Sequence, residues 1–370
     1  MLGMIFLPTL ALCLFSNPIS PVDSVWKTAV REGFSGGAIV VSGKKTLLLE
    51  VNNTSQGRSF QIQKNGAFPI CSVTKAMTAE VVLALTKDSK LGLDQKIGTA
   101  LPWLPTFAQS ITIRQLLTHT SGLRNMDLAL GNSASGVGNI YFSVDPNLKP
   151  LQPRILKIIG ENPVAVPGEK YDYNNADFLV LQAVIESVTK QPFERVLRDK
   201  ILGPAKMKHT GLSSWGLGTN KMLECFAVQD GKEVAQAPFN MGIYGGAAGV
   251  VSTPQDLCEW LKFTLTSPAG RTLLNSGSQF GGFQGFGGYA YRSKAISKRL
   301  GSNRDEIVFE RPGAVNAYSL QVSFLPERQI GVAVFSNRDG VQMGSVFEGK
   351  GLAVDLLVAA CSSAPSSQSK

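Results

Sequence analysis

Two kinds of hydrophobic pattern divide this chain. Gly36 to Val41 and Thr46 to Val51 are β-branched and aliphatic runs joined by Ser42-Gly43-Lys44-Lys45, which predicts a hairpin. Three more strand-like runs come late: Glu306 to Arg311, Ser319 to Phe324 and Ile330 to Ser336. Between them the apolar residues follow helical spacing. Phe68 to about Thr86, Ile111 to His119, Leu151 to Gly160, Ala176 to Thr189, Pro192 to Ile201 and Thr253 to Ser267 are the predicted helices. Thr253 suits the cap of the last of these and Pro254 its first position. Val25 to Glu32 and Glu348 to Cys361 read as helices at the two ends. Arg124 to Pro150, rich in Gly, Asn and Ser, reads as a long loop near a site, Gly281 to Tyr289 is Gly-rich, and the segment Ser267 to Gly288 is expected to shape the pocket with that loop. With strands near both ends and helices between, the expected fold class is α/β plus all-α. An antiparallel sheet from the two chain ends is flanked by helices and interrupted by a helical region. One domain is expected over 25–361, its α/β part about 25–86 and 250–361 and its helical part about 87–249. The tail 362–370 reads as disordered.

Bulk properties narrow the picture only at the edges. The 370 residues are 44% hydrophobic, enough to bury a real core, and the net charge is +9. Lys and Arg are scattered, with no run of five, so nucleic acid is not an expected partner. Met4 to Phe15, "MIFLPTLALCLF", is too short to span a bilayer and has the length of a signal-peptide core. That predicts an exported protein, periplasmic or secreted, with residues 1–24 removed by a cut after Ser24; the n-region lacks Lys and Arg, and an N-terminal strand or buried helix is the alternative. Four cysteines would then remain, Cys71, Cys225, Cys258 and Cys361. No CxxC pair or Cys/His cluster exists among them, so neither metal nor cofactor is expected.

Three segments could carry chemistry. In "FPICSVTKAMTAEVVLAL" Ser72 and Lys75 lie three apart at the head of an apolar helix. Positions i and i+3 share a helix face, so Lys75 can reach the Ser72 hydroxyl as its base. A bare Ser-x-x-Lys is weak: it recurs at Ser24, Ser42, Ser187 and Ser367, and the Ser187 copy repeats the letters "SVTK". Ser187 ends a predicted helix, whereas Ser72 begins one. Taken alone, Ser72 as a cap and Lys75 as a solvated side chain is the simpler reading. Tyr173-Asn174-Asn175 could move a proton through a phenol with a lowered pKa and hold a Lys through an amide, or simply form a polar turn. Arg311-Pro312-Gly313-Ala314, at a predicted strand end, could lay backbone N–H groups along a substrate, or simply bend.

Together these segments resemble the serine β-lactamase and penicillin-binding-protein family, in its class C β-lactamase, DD-peptidase and family VIII carboxylesterase branch. The likeness runs from about Phe34 to Asn337. It includes "GFSGGAIVV", "ITIRQLLTHTSGL", "ILGPAKMKHTGL", "GGAAGVVSTPQDL" and "QIGVAVFSN". The resemblance implies a β-lactamase/DD-peptidase-like fold, with Ser72 as acylated nucleophile and Lys75 as its base. Tyr173 would pass protons to the leaving group and activate water. Asn175, Arg311 and Gly313 would bind substrate, and the backbone N–H groups of Ser72 and Ala314 would form the oxyanion hole. A small-molecule or peptide substrate, such as a cell-wall fragment, is the implied partner. The third motif departs from the usual Lys-Thr-Gly or His-x-Gly: Arg311 keeps the charge but cannot release a proton, and Pro312 lacks a hydroxyl and an N–H. Cys71 stands where the family often has Gly. The expected activity is therefore of carboxylesterase or DD-carboxypeptidase type rather than efficient β-lactamase.

Two competing readings stand beside this one. A catalytically silent penicillin-binding-protein-like binder or sensor would keep the same residues. "GFSGG", Gly33 to Gly37, fits the nucleophile elbow of an α/β-hydrolase centred on Ser35, but that elbow needs a strand before it and a helix after it. His119, one of only two histidines, lies in a stretch that the resemblance marks as structural.

Overall fold

The computed structural model describes residues 20–52, 54–55, 58–59, 66–126, 151–212, 222–236, 241–277, 284–315, 317–341 and 343–363. The segments expected as signal core, as most of the Arg124 to Pro150 loop and as most of the tail lie outside the described residues, as does part of the Gly281 to Tyr289 loop.

Six antiparallel strands form the main sheet, in the spatial order Tyr289–Ser293, Glu306–Val315, Tyr318–Leu325, Ile330–Ser336, Gly36–Ser42 and Lys45–Asn52. The expected origin of the sheet from both chain ends is what forms it. Gly37 pairs with Phe335 and Val41 with Gly331, so the two ends join in the middle of the sheet. Side chains alternate across it with period 2. Ala38, Val40, Val332 and Val334 meet Val22, Trp26, Leu356 and Leu357 of two terminal helices, Pro21–Arg31 and Leu352–Ser363. Ile39, Val41, Ala333 and Phe335 face the other way, into a larger core with Met77, Phe178 and Trp260.

Several boundaries differ from expectation for identifiable reasons. The first helix begins at Pro21, not Val25, because Ser20 caps it by accepting from the Asp23 N–H and Pro21 suits the first turn. A cut after Ser24 would thus remove the cap and the buried Val22. The strand expected to stop at Arg311 runs on through Pro312 to Val315. Its outer neighbour pairs no further than Glu310, opposite Tyr289, so Pro312 occupies a sheet edge, where a missing N–H is tolerated. The expected helix Pro192 to Ile201 is an α turn, Phe193–Leu197, continued as a wider π turn, Arg198–Leu202. The last helix starts at Leu352 rather than Glu348. Thr253 caps Pro254–Thr266 as anticipated.

Ser35 sits at 1% exposure just after a helix and just before a strand, the reverse of an elbow, with its hydroxyl near the Asn337 side chain. An α/β-hydrolase centred there is excluded by this order of elements.

Candidate active site

Ser72 does not cap a helix. It stands in a short 3-10 turn, Cys71–Val73, that feeds the α-helix Thr74–Lys87, and neither start has a side-chain cap. The helix is buried nearly all round, as a central helix must be. Cys71 adopts a left-handed φ of 49°, which costs a non-glycine residue about 1–2 kcal/mol. This accounts for glycine as the natural occupant and sets the sharp entry that turns Ser72 toward the cleft. The Cys71 thiol is buried, and burial pushes its pKa far up, so it is held as an inert thiol. The four described cysteines form no disulfide.

Lys75 is fully buried one turn on. Its Nζ lies 2.6 Å from Asn175 Oδ1, 2.9 Å from the Ala247 carbonyl and 3.4 Å from Ser72 Oγ. Nζ donates to all three as an ammonium, and it becomes a base for Ser72 only once it has given up a proton. The sequence did not single out Ala247. Its carbonyl is presented by the turn Met241–Ala247, which is fastened where Thr78 Oγ1 donates to the Gly246 carbonyl and the Gly246 N–H donates to Gln182 Oε1. The glycines in "GGAAGVV" were its visible signal. Gly287, at φ 67°, presses on the same helix; a Cβ there would lie 2.5 Å from the Lys75 carbonyl oxygen.

Tyr173 arrives from the turn before the helix Asn175–Thr189, capped by Asn174. The Tyr173 hydroxyl is 2.8 Å from Ser72 Oγ, and Arg311 Nη2 donates to it at 2.8 Å. Arg311 Nε also donates to the Ser72 carbonyl at 3.1 Å, and the guanidinium lies over the Tyr173 ring at 5.0 Å. Arg311 is only 2% exposed, so two of its donors are turned to the nucleophile and the phenol rather than outward. Burial opposes ionisation of Tyr173, but Arg311 and then Lys75 outweigh it and bring the phenol from 10.0 down to about 8. Ser72 therefore has two groups in reach that can take its proton, the Tyr173 phenolate beside a charged Lys75 or Lys75 itself once deprotonated.

Along the strand Glu306–Val315 the residues alternate. Arg311 and Gly313 are buried toward Ser72, while Pro312 and Ala314 are exposed. A side chain at Gly313 would crowd the nucleophile: its Cβ would lie 3.0 Å from the Ser72 nitrogen and from the Ile70 carbonyl, so that backbone would have to give by a few tenths of an ångström. The bare glycine leaves the Ser72 N–H open. A cavity of about 670 Å³ runs along this edge, lined among others by Ser72, Tyr173, Tyr289, Arg311, Gly313 and Ala314. All seven residues singled out in the sequence thus meet at one place. Among the described residues, no cluster of His, Cys, Asp and Glu could hold a metal. An acidified phenol, a buried amine and a hydroxyl in contact are the parts needed for nucleophilic acyl transfer.

A family model, Beta-lactamase, matches residues 22–350. The chain belongs to the beta-lactamase family. Protein flp of Staphylococcus aureus (strain MW2) is 24% identical over 336 residues, covering 85% of this chain and 62% of that protein. The chain therefore spans less than two thirds of the length of that relative. Two solved structures share the fold. D-amino acid amidase from Ochrobactrum anthropi SV3 superposes with a TM-score of 0.70 at 18% identity, over 93% of this chain and 98% of that one. D-alanine carboxypeptidase AmpC from Burkholderia cenocepacia gives 0.69 at 18% identity, over 91% and 97%. The antiparallel sheet with its flanking helices is the β-lactamase/DD-peptidase-like fold, and this is a family of serine hydrolases.

Proposed function

We propose that this protein is an exported serine hydrolase that works through an acyl-Ser72 intermediate on small esters, amides or D-amino-acid peptides. One observation carries the reading: Ser72 Oγ lies in contact with both Tyr173 and Lys75, at 2.8 and 3.4 Å. In acylation the Ser72 proton passes to Lys75 or Tyr173 as Oγ bonds to the substrate carbonyl carbon. The oxyanion receives the Ser72 and Ala314 N–H groups. Collapse expels the leaving group, which takes the proton from Tyr173. Water then repeats the sequence in reverse and frees Ser72. Asn175 holds Lys75 in place, and Arg311 keeps a permanent positive charge beside Tyr173.

Pro312 bears on the substrate. An extended peptide laid on this exposed edge finds no N–H at that position, so a compact ester or a short amide suits it better. Ester hydrolysis or D-amino-acid release is thus favoured over efficient β-lactam turnover. Export rests on the apolar segment Met4 to Phe15, with a processing cut ahead of Ser20 that leaves the first helix whole.

Intact mass after reaction with a fluorophosphonate tests the acyl-enzyme. Wild type should gain one adduct and Ser72→Ala none. Equal labelling of both would end the assignment, and an inert wild type would favour the silent binder. Rates on p-nitrophenyl butyrate, a chromogenic cephalosporin and a D-Ala-D-Ala peptide would then rank esterase, β-lactamase and peptidase.

A further inference from the structure

Behind Tyr173 lies a set of buried polar groups that the acyl-transfer steps do not use. His119 follows the short helix Ile113–Leu117 and takes a left-handed φ of 56°. Its ring packs against Tyr173 at 4.8 Å, Phe178 at 5.2 Å and Tyr171 at 6.0 Å. Both neighbours of Tyr173 are tied to this one residue. The Asp172 N–H donates to the His119 carbonyl at 2.8 Å, and the Asn174 N–H donates to His119 Nδ1 at 3.3 Å. Tyr173 is therefore suspended between two anchors on His119.

The same Nδ1 lies 3.0 Å from Asp177 Oδ2, and both side chains are buried. A ring nitrogen carries either a hydrogen or a lone pair. If Nδ1 accepts from the Asn174 amide, the hydrogen toward Asp177 must come from Asp177, as a carboxylic acid. The rest of the chain agrees. The Leu123 N–H donates to Ser121 Oγ at 3.1 Å, and the Ser121 hydroxyl donates to the other oxygen of Asp177. Donors then run in one direction from Leu123 through Ser121 and Asp177 to His119, where Nδ1 is shared between the Asp177 acid and the longer Asn174 N–H, and the buried Nε2 meets no partner among the described residues.

We propose that His119 and Asp177 are positioning residues for Tyr173, joined as an uncharged acid–imidazole pair that carries its hydrogen on His119 Nε2. The charges around the pair fit. Burial, then Arg311 and Lys75, hold the His119 pKa well below its ordinary value. Burial holds Asp177 well above, against Ser121 and Lys75 and with Asp172 adding to it. An imidazolium here would set a third cation against the Tyr173 pocket beside Lys75 and Arg311. Neither residue touches the reacting atoms; each acts through the backbone that aims the phenol.

This inference rests on the reading of Tyr173 as a proton carrier, and two measurements separate it from that reading. The first needs no activity. Long-range 1H–15N spectra of the full chain should show one imidazole fixed in the neutral Nε2–H form from pH 5.5 to 8. The only other histidine, His209, is exposed. An imidazolium pattern for His119 at pH 7 would overturn the proposal.

The second uses Asp177→Asn and Asp177→Ala. An asparagine amide can donate to Nδ1 and accept from Ser121, as the acid does. Asp177→Asn should keep Tm and keep kcat on p-nitrophenyl butyrate within about threefold, with an unmoved pH profile. Asp177→Ala should lose about ten- to a hundredfold in kcat with little change in KM, the scale of a reacting group displaced by about an ångström. Asparagine as damaging as alanine would mean a charged pair and would sink the proposal, as would alanine behaving like wild type. If the wild type is inert on esters and probe, the functional reading fails, while the spectra and the Tm of the two variants still decide the pair.

Discussion

The letters Ser-Val-Thr-Lys occur twice, and the two copies live in different chemistry. At Ser72 the tetrapeptide enters a helix. Its lysine is fully buried and contacts the serine, and the serine contacts a phenol. At Ser187 the same letters end the helix Asn175–Thr189. Ser187 Oγ donates to the Ala100 carbonyl and Thr189 Oγ1 to the Ile185 carbonyl, while Lys190 is exposed in a left-handed C-cap at φ 55°. Free N–H groups and a positive dipole end surround the first copy, free carbonyls the second. Reactivity here comes from the helix end and the burial around a motif, since the side chains are identical.

The widest separation of the two copies should come from their lysines. Lys75→Ala should slow fluorophosphonate acylation by about 10²–10⁴, while Lys190→Ala leaves it unchanged; comparable losses in both would break the contrast. Gly313→Ala should come next, with about 10²–10³ lost in kcat by stopped-flow acylation, because its Cβ meets the Ser72 nitrogen. Arg311→Met should shift a profile more than a rate. Where the phenolate is the active form, kcat/KM rises with pH through about 8 in the wild type. Without the cation that limb should move up toward the ordinary tyrosine range, and activity at pH 7 should fall severalfold. The smallest effect concerns non-glycine residues at positive φ, Cys71 just before the first copy and Lys190 as the last residue of the second. Cys71→Gly and Lys190→Gly should each stabilise by about 0.5–1 kcal/mol in urea denaturation, with neither slowing acylation.

How far the sequence could be read depended on how local each cause was. The paired strands Gly36–Ser42 and Lys45–Asn52 and the cap at Thr253 follow from neighbouring residues, and they lie close to expectation. Ser72, Lys75, Tyr173, Asn175, Arg311, Gly313 and Ala314 were legible through their motifs. What escaped depends on partners far along the chain. Arg311 was read as a cation for substrate, and what the sequence did not show is that two of its donors go to Tyr173 and the Ser72 carbonyl. Ala247 matters only through its carbonyl, which no side chain announces. The hairpin of Cys225–Gln229 and Lys232–Gln236 turns at Asp230-Gly231, a recognisable signal, but its half-exposed strands lack a clean apolar alternation.

The pairing of Gly36–Ser42 with Ile330–Ser336 also says when this site can exist during synthesis. Ser35 and Asn337, which meet at the end of that pairing, are 302 positions apart. Contacts of such long range form late, because the intervening chain must first be closed into a loop. A nascent chain on the ribosome holds Ser72, Lys75 and Tyr173 well before the strand carrying Arg311 and Gly313 has emerged. Until that strand docks, the nucleophile has no cation beside its phenol and no edge to receive a substrate.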